Sequence, residues 1–175
     1  MIERISSTLS TFKTLVFHKG LNILLADRTP TSTDRQTRNS AGKSSLIEII
    51  HFLTGGNMSK GSIFSEPPLR EHSFTMVFNP GVNQSLVTVE RYGNEPSKIW
   101  LQGDYSEWII KPSMQDLHQR FGLSNEDWKR ILGHLMFGLL PKDDLLKFRT
   151  IFPYFIRRQQ DGAFLDFTKH HQSES

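Results

Sequence analysis

Residues 37–45 read Thr, Arg, Asn, Ser, Ala, Gly, Lys, Ser, Ser, and this run constrains the fold more than any other part of the chain. Its Gly42, Lys43 and Ser44 match the end of the Walker A pattern, G-x-x-x-x-G-K-[ST]. The apolar run 21–25 before the loop predicts a buried strand, and apolar residues recur at helical spacing after the loop. We therefore predict a strand, a phosphate-binding loop and a helix in that order.

The residue types of this loop suit a polyphosphate. We expect backbone N–H groups to cradle the phosphates at the positive end of the helix dipole, where glycine lets the backbone come close. Lys43 would reach the β- and γ-phosphates, and the Ser44 hydroxyl would bind Mg²⁺. The predicted cofactors are ATP and Mg²⁺, and the predicted cofactor-binding residues of the loop are Asn39, Ser40, Ala41, Gly42, Lys43, Ser44 and Ser45.

The loop departs from the pattern at one position, because Thr37 stands where the first glycine belongs. That glycine eases the turn out of the strand, and a longer polar loop would make the turn elsewhere. The residues 27–41 are almost entirely polar and include three arginines, Arg28, Arg35 and Arg38. An ordinary helix start is the alternative interpretation, and the flanking strand and helix favour the phosphate loop over it.

Composition narrows the class of protein. A chain of 175 residues suits one domain, and the absence of cysteine excludes a disulfide framework and a thiolate metal site. No apolar run approaches the ~20 residues of a membrane span, and the N-terminus lacks a signal-peptide pattern, so we expect a cytoplasmic protein without membrane contact. The net charge of +3 is compatible with DNA contact and with solvated surface charge.

The rest of the chain predicts a mixed α/β fold in which antiparallel strand pairs precede C-terminal helices. We expect residues 57–70 to be a polar linker. The pattern of residues 143–152 predicts no single type of secondary structure. The predicted strand pairs are 11–18 with 21–27, 72–79 with 85–92, and 98–102 with 107–110, and the predicted helices are 42–54, one beginning at Ser113, and 124–138.

These elements resemble the N-terminal head segment of SMC, RecF and RecN ATPases, and are closest to bacterial SMC-like ATPases linked to phage defence or mobile elements. The resemblance rests on the first hairpin, the helix ending in residues 49–55, the hairpin ending in residues 89–92, and the polar insertion of residues 30–34 and 37–39. It implies a P-loop NTPase lobe with an antiparallel β-subdomain over residues 1–167, and a disordered or truncated tail over 168–175.

The resemblance also implies partners. Such a head is completed by a second half that carries the Walker B carboxylates and the signature segment, and two heads engage each other and DNA when ATP binds. This chain has no LSGGQ-like run and no sustained heptads. Asp143 and Asp144 superficially match the acidic pair of Walker B, but a helix start suits them better. We therefore expect half of an ABC-type head that does not hydrolyse ATP alone.

A glutamine that senses the γ-phosphate belongs near the end of this half, and Gln159 or Gln160 follows an apolar stretch there. Both are also interpretable as plain surface residues, while Arg157 and Arg158 beside them would suit phosphates.

Two other functions stay open. A degenerate nucleotide site would make the domain a protein- or DNA-binding scaffold, and a small-molecule kinase would share the same tripeptide.

Overall fold

The computed structural model describes residues 1–24, 43–59, 61–81, 85–114, 116, 119–140 and 146–156. These residues form a mixed α/β fold built on an antiparallel seven-stranded sheet. The mixed class with an antiparallel sheet agrees with the sequence prediction. Antiparallel pairing alone does not indicate a P-loop lobe, because the same arrangement occurs in many unrelated folds.

The sheet of the described residues has the order β2-β1-β3-β4-β5-β7-β6, with every neighbouring pair antiparallel. The strands are β1 (Ile2–Ser7), β2 (Leu15–Val16), β3 (Ser73–Phe78), β4 (Val87–Tyr92), β5 (Lys98–Gln102), β6 (Ser113–Met114) and β7 (Phe121–Ser124).

Alternation along the central strands places the core on one face of the sheet. Phe74, Met76 and Phe78 of β3 lie opposite Arg91, Val89 and Val87 of β4, and all six are buried. Helix α1 (Lys43–Leu53) packs against this face through β3 and β4, and helix α3 (Asn125–Phe137) packs against β5 and β7. Both helices share the face, since the ring of Phe52 contacts Phe74 and the ring of Trp128 contacts Phe78.

The two long helices confirm their predicted positions within one or two residues. The Ser124 hydroxyl accepts a hydrogen bond of 3.0 Å from the Asp127 backbone N–H and so caps α3, which ends at Gly138 in the left-handed conformation with φ of 66°. Shorter helical segments are α2 (Pro67–Arg70), α4 (Phe148–Ile151) and single 3-10 turns at Ile63–Ser65 and Phe152–Tyr154.

The predicted hairpin of 11–18 with 21–27 is wrong over its described part. Only β2 is a strand there, and it pairs with β1, which the sequence analysis missed. Residues 21–24 form no strand, because the Asn22 side chain binds the backbone N–H and C=O of His18 and the carbonyl of Gly20. This local closure competes with strand pairing, and Leu21 is left 87% exposed.

Three other predictions fail because burial or side-chain bonding overrides local pattern. The supposed linker contains Phe64, which is buried and stacked on Phe52 at 4.2 Å. The supposed strand 107–110 is a turn that buries Trp108. The supposed helix from Ser113 begins as β6, and the Asp116 carboxylate accepts from the Arg120 N–H in a turn before β7.

Replacement of Ser124 by alanine tests the cap of α3. We expect Ser124→Ala to lower the free energy of unfolding by about 1 kcal/mol, because the Asp127 N–H loses its acceptor. Ser124→Asn, which keeps a capping oxygen, should stay within about 0.5 kcal/mol of the wild type in the same urea titration. Equal losses in both variants would refute the capping role.

Candidate functional site

The structure describes only part of the predicted phosphate loop. Asn39, Ser40, Ala41 and Gly42 lie outside the described residues, as do Gln159 and the pair Asp143 and Asp144. Lys43 is the first residue of α1, and only its backbone is described. Ser44 and Ser45 follow in the first turn and are exposed. The structure therefore places the end of the predicted motif at the N-terminus of a helix.

Burial changes along α1. Its first turn is at the surface and holds no acidic residue, whereas residues 49–53 are buried against the sheet. The N-terminus of a helix carries unsatisfied N–H groups and the positive end of the dipole. The described first turn of α1 places no carboxylate beside these groups.

The other end of α1 is held by a buried arginine of β4. Arg91 Nη1 donates to the carbonyls of Phe52 and Gly56, the latter at 2.9 Å, and its Nε donates to the carbonyl of Pro96 at 2.8 Å. The guanidinium also lies 4.4 Å from the centre of the Phe52 ring. Burial and then the charge of Arg149 lower the pKa of Arg91 to about 10, so the side chain remains charged at neutral pH.

Helix α3 completes this anchor. Trp128 Nε1 donates to the carbonyl of Leu53 at 2.9 Å, and Asn125 Nδ2 donates to the carbonyl of Gly55 at 3.2 Å. The last carbonyls of a helix have no partner within the helix, and leaving them buried without donors is costly. Side chains from β4 and α3 therefore satisfy the C-terminal end of α1 and fix its direction on the sheet.

His51 joins α1 to the segment that follows α3 in the chain. Its Nε2 lies 3.0 Å from the carbonyl of Ile156, and its Nδ1 lies 3.0 Å from Nη2 of Arg149. A carbonyl only accepts, so Nε2 carries the proton and Nδ1 accepts from the guanidinium. The ring is 1% exposed and meets Phe152 edge to face. The segment 148–156, which precedes the predicted Gln159 in the chain, is thus attached to α1.

The sequence predicts no role for Arg91, Trp128 or His51 at this junction. The alternation of β4 does place Arg91 on the buried face of the strand. A buried cation must be paired or hydrogen-bonded, so this position indicates that Arg91 has partners. His51 and Trp128 lie on apolar helix faces. This position predicts that both side chains are buried, but it does not predict their hydrogen-bond partners. Their partners are 105 and 75 residues away in the chain.

Comparison of the chain with protein-family models, curated proteins and solved structures finds no match. Within the described ranges, no three histidine, aspartate or glutamate side chains converge on a common metal position. In the same part of the chain no helix has the length and hydropathy of a membrane span.

Removal of the buried guanidinium should destabilise the domain. We expect Arg91→Met to lower the free energy of unfolding by roughly 3 kcal/mol, because the buried carbonyls of Phe52 and Gly56 and the half-buried carbonyl of Pro96 lose the donors of the guanidinium. Arg130→Met is the matched control, since Arg130 is an exposed member of an ion pair on α3 and should cost less than about 1 kcal/mol. Similar losses in urea unfolding would contradict the anchoring role.

Removal of the His51 hydrogen bonds should release the segment it holds. In His51→Phe the ring packing is retained while both polar contacts are lost, so amide exchange in residues 148–156 should accelerate and exchange in α3 should not. Hydrogen exchange with mass spectrometry measures both regions. His134→Phe is the control, since the hydrogen bond between His134 Nδ1 and the carbonyl of Leu139 is local in the chain. An unchanged 148–156 segment would exclude the attachment.

Proposed function

We propose that this chain is the Mg-ATP-binding N-terminal lobe of an ABC-type ATPase head resembling those of SMC and RecF proteins. The observation that carries the proposal is the position of the Walker-like residues. Lys43 is the first residue of α1, and Ser44 follows it in the exposed N-terminal turn. The acid-free first turn supports anion binding at this end of the helix.

The roles of the residues follow from their chemistry. The backbone of residues 39–45 would cradle the phosphates, and the Lys43 ammonium would offset charge on the β- and γ-phosphates. The exposed Ser44 hydroxyl suits a hard cation, and Mg²⁺ supplies charge neutralisation between phosphate oxygens when bound. The anchor at the other end of α1 would keep these groups in place, because it fixes the helix without occupying its N-terminus.

Hydrolysis in this proposal requires a second half with Walker B carboxylates and a signature segment, acting in a head-to-head dimer. The exposed apolar side chains Leu21, Ile23 and Leu24 support a missing neighbour, since a partner half would cover them. Gln159 would contact Mg²⁺ and sense the γ-phosphate, and the contacts of His51 would link its segment to α1. The proposed output is ATP-gated engagement of DNA, by analogy with the resembling heads.

A second candidate is a degenerate nucleotide site in a protein- or DNA-binding scaffold. The departure at Thr37 favours this function, because a β-branched residue restricts the turn that the first Walker glycine eases. The two functions differ in whether the folded chain binds nucleotide through Lys43.

Calorimetric titration with Mg-ATP distinguishes the two candidates. We expect one ATP per chain for the wild type, and a loss of roughly 10- to 100-fold in affinity for Lys43→Ala, because a charged phosphate contact disappears. Lys13→Ala removes an exposed lysine and should bind like the wild type. A folded wild type that binds no ATP, or equal affinity in Lys43→Ala, would favour the scaffold.

A further inference from the structure

The face of the sheet turned away from α1 and α3 carries an unusual aromatic residue. The register places Thr75, Glu90, Trp100 and Gly122 side by side across β3, β4, β5 and β7 on this face. A large apolar side chain on an open sheet face is normally exposed. Trp100 is nevertheless only 5% exposed, so other side chains must cover its ring.

The cover over Trp100 is a fixed cation. The guanidinium carbon of Arg120 lies 3.9 Å from the ring centre, and the ammonium of Lys98 lies 4.8 Å from it. Asp116 holds Arg120 in place through a 2.6 Å contact from Nε to Oδ2 and a 3.0 Å bond from the backbone N–H to Oδ1. The Arg120 side chain is still 40% exposed. A flat, charged plane therefore lies on the indole ring and faces solvent.

Beside this stack lies a cavity of about 510 Å³. Its volume falls in the range of sites that hold small organic ligands. Residues of β4, β5 and β7 line the cavity, together with the segment that follows β5 and the segment that precedes β7. Residues that line it and bear on its chemistry are Glu90, Trp100, Gln102, Tyr105, Arg120 and Phe121.

Two of these groups have unused hydrogen-bonding capacity within the described part of the chain. The Tyr105 hydroxyl is buried and has no hydrogen-bond partner there. Burial raises the pKa of Tyr105, so the phenol keeps its proton and remains a donor. Glu90 forms no ion pair with any described residue. Glu90 therefore offers the cavity an acceptor carboxylate beside the guanidinium of Arg120, while the Tyr105 hydroxyl is enclosed by the protein.

We propose that this cavity binds a nucleobase stacked on the guanidinium of Arg120, with the base edge hydrogen-bonded to Glu90. Arginine planes and aromatic rings are the surfaces on which proteins stack unpaired bases, and a carboxylate accepts from the amino group of cytosine. The positive charges of Arg120 and Lys98 suit the phosphate that accompanies a base. Ser44 and Ser45, the described residues of the predicted phosphate loop, are not among the residues that line the cavity.

The test uses the full chain carrying Lys43→Ala, so that nucleotide binding at the phosphate loop does not contribute. Fluorescence anisotropy compares a short labelled oligodeoxycytidylate with an abasic oligomer of the same length. We expect at least about fivefold tighter binding of the oligodeoxycytidylate, the fold-change for one stacked base. Equal affinity for the two oligomers would overturn the proposal, because only the base-free backbone would then be recognised.

Variants of the cavity sharpen the test. Arg120→Ala should remove the preference for the oligomer with bases, whereas Arg130→Ala, an exposed arginine in a similar ion pair on α3, should keep it. A second variant, Glu90→Gln, preserves the shape of the cavity and should reduce the preference for cytosine over thymine oligomers. This variant keeps the proposal testable if Arg120→Ala fails to fold. Retention of both preferences in folded variants would refute the site.

Competition with cytidine monophosphate identifies the source of the base. Displacement of the oligodeoxycytidylate by the free nucleotide at similar concentration per base would assign the cavity to mononucleotides. Displacement only by unlabelled strand would assign it to single-stranded nucleic acid, whose further phosphates add salt-dependent affinity. Either result supports a nucleobase site, and failure of both competitors to displace the labelled strand would overturn it.

Discussion

The buried guanidinium of Arg91 is the interaction on which the arrangement of helix and sheet depends. One side chain from β4 donates to carbonyls at the end of α1 and of the turn after β4, and also covers the Phe52 ring. Burying a charge is favourable only when its donors are used, and here backbone carbonyls use them. A helix C-terminus is also the negative end of the dipole, so the cation and the helix stabilise each other.

The two ends of α1 differ in burial and bonding. The C-terminal half is buried and bonded to β4 and α3, while the N-terminal turn is at the surface with Ser44 and Ser45. In the proposed function, attachment at the far end would hold the phosphate-binding groups in place without crowding the near end. His51 adds the segment 148–156 to the same helix end.

The two faces of the sheet differ in what they offer. One face buries the aromatic core against α1 and α3, and the other shows a mixed surface on which Trp100 is covered by Arg120. The proposed base site lies on the open face, whereas α1 packs on the other face against β3 and β4. An antiparallel sheet occurs in proteins of many functions, so the fold does not favour one of them. The proposed functions therefore rest on the residues of the two proposed sites.

Local sequence determined the elements whose signals are local: α1 and α3 with their apolar spacing and the Ser124 cap, and the strands β3, β4 and β5. Only the tertiary structure decided the partner of β5, which is β7 and not the neighbouring segment 107–110, and the partners of Arg91 and His51. The physical reason is that pairing and burial between residues 20 to 105 positions apart depend on which surfaces meet, and a periodic pattern records only which side chains avoid water.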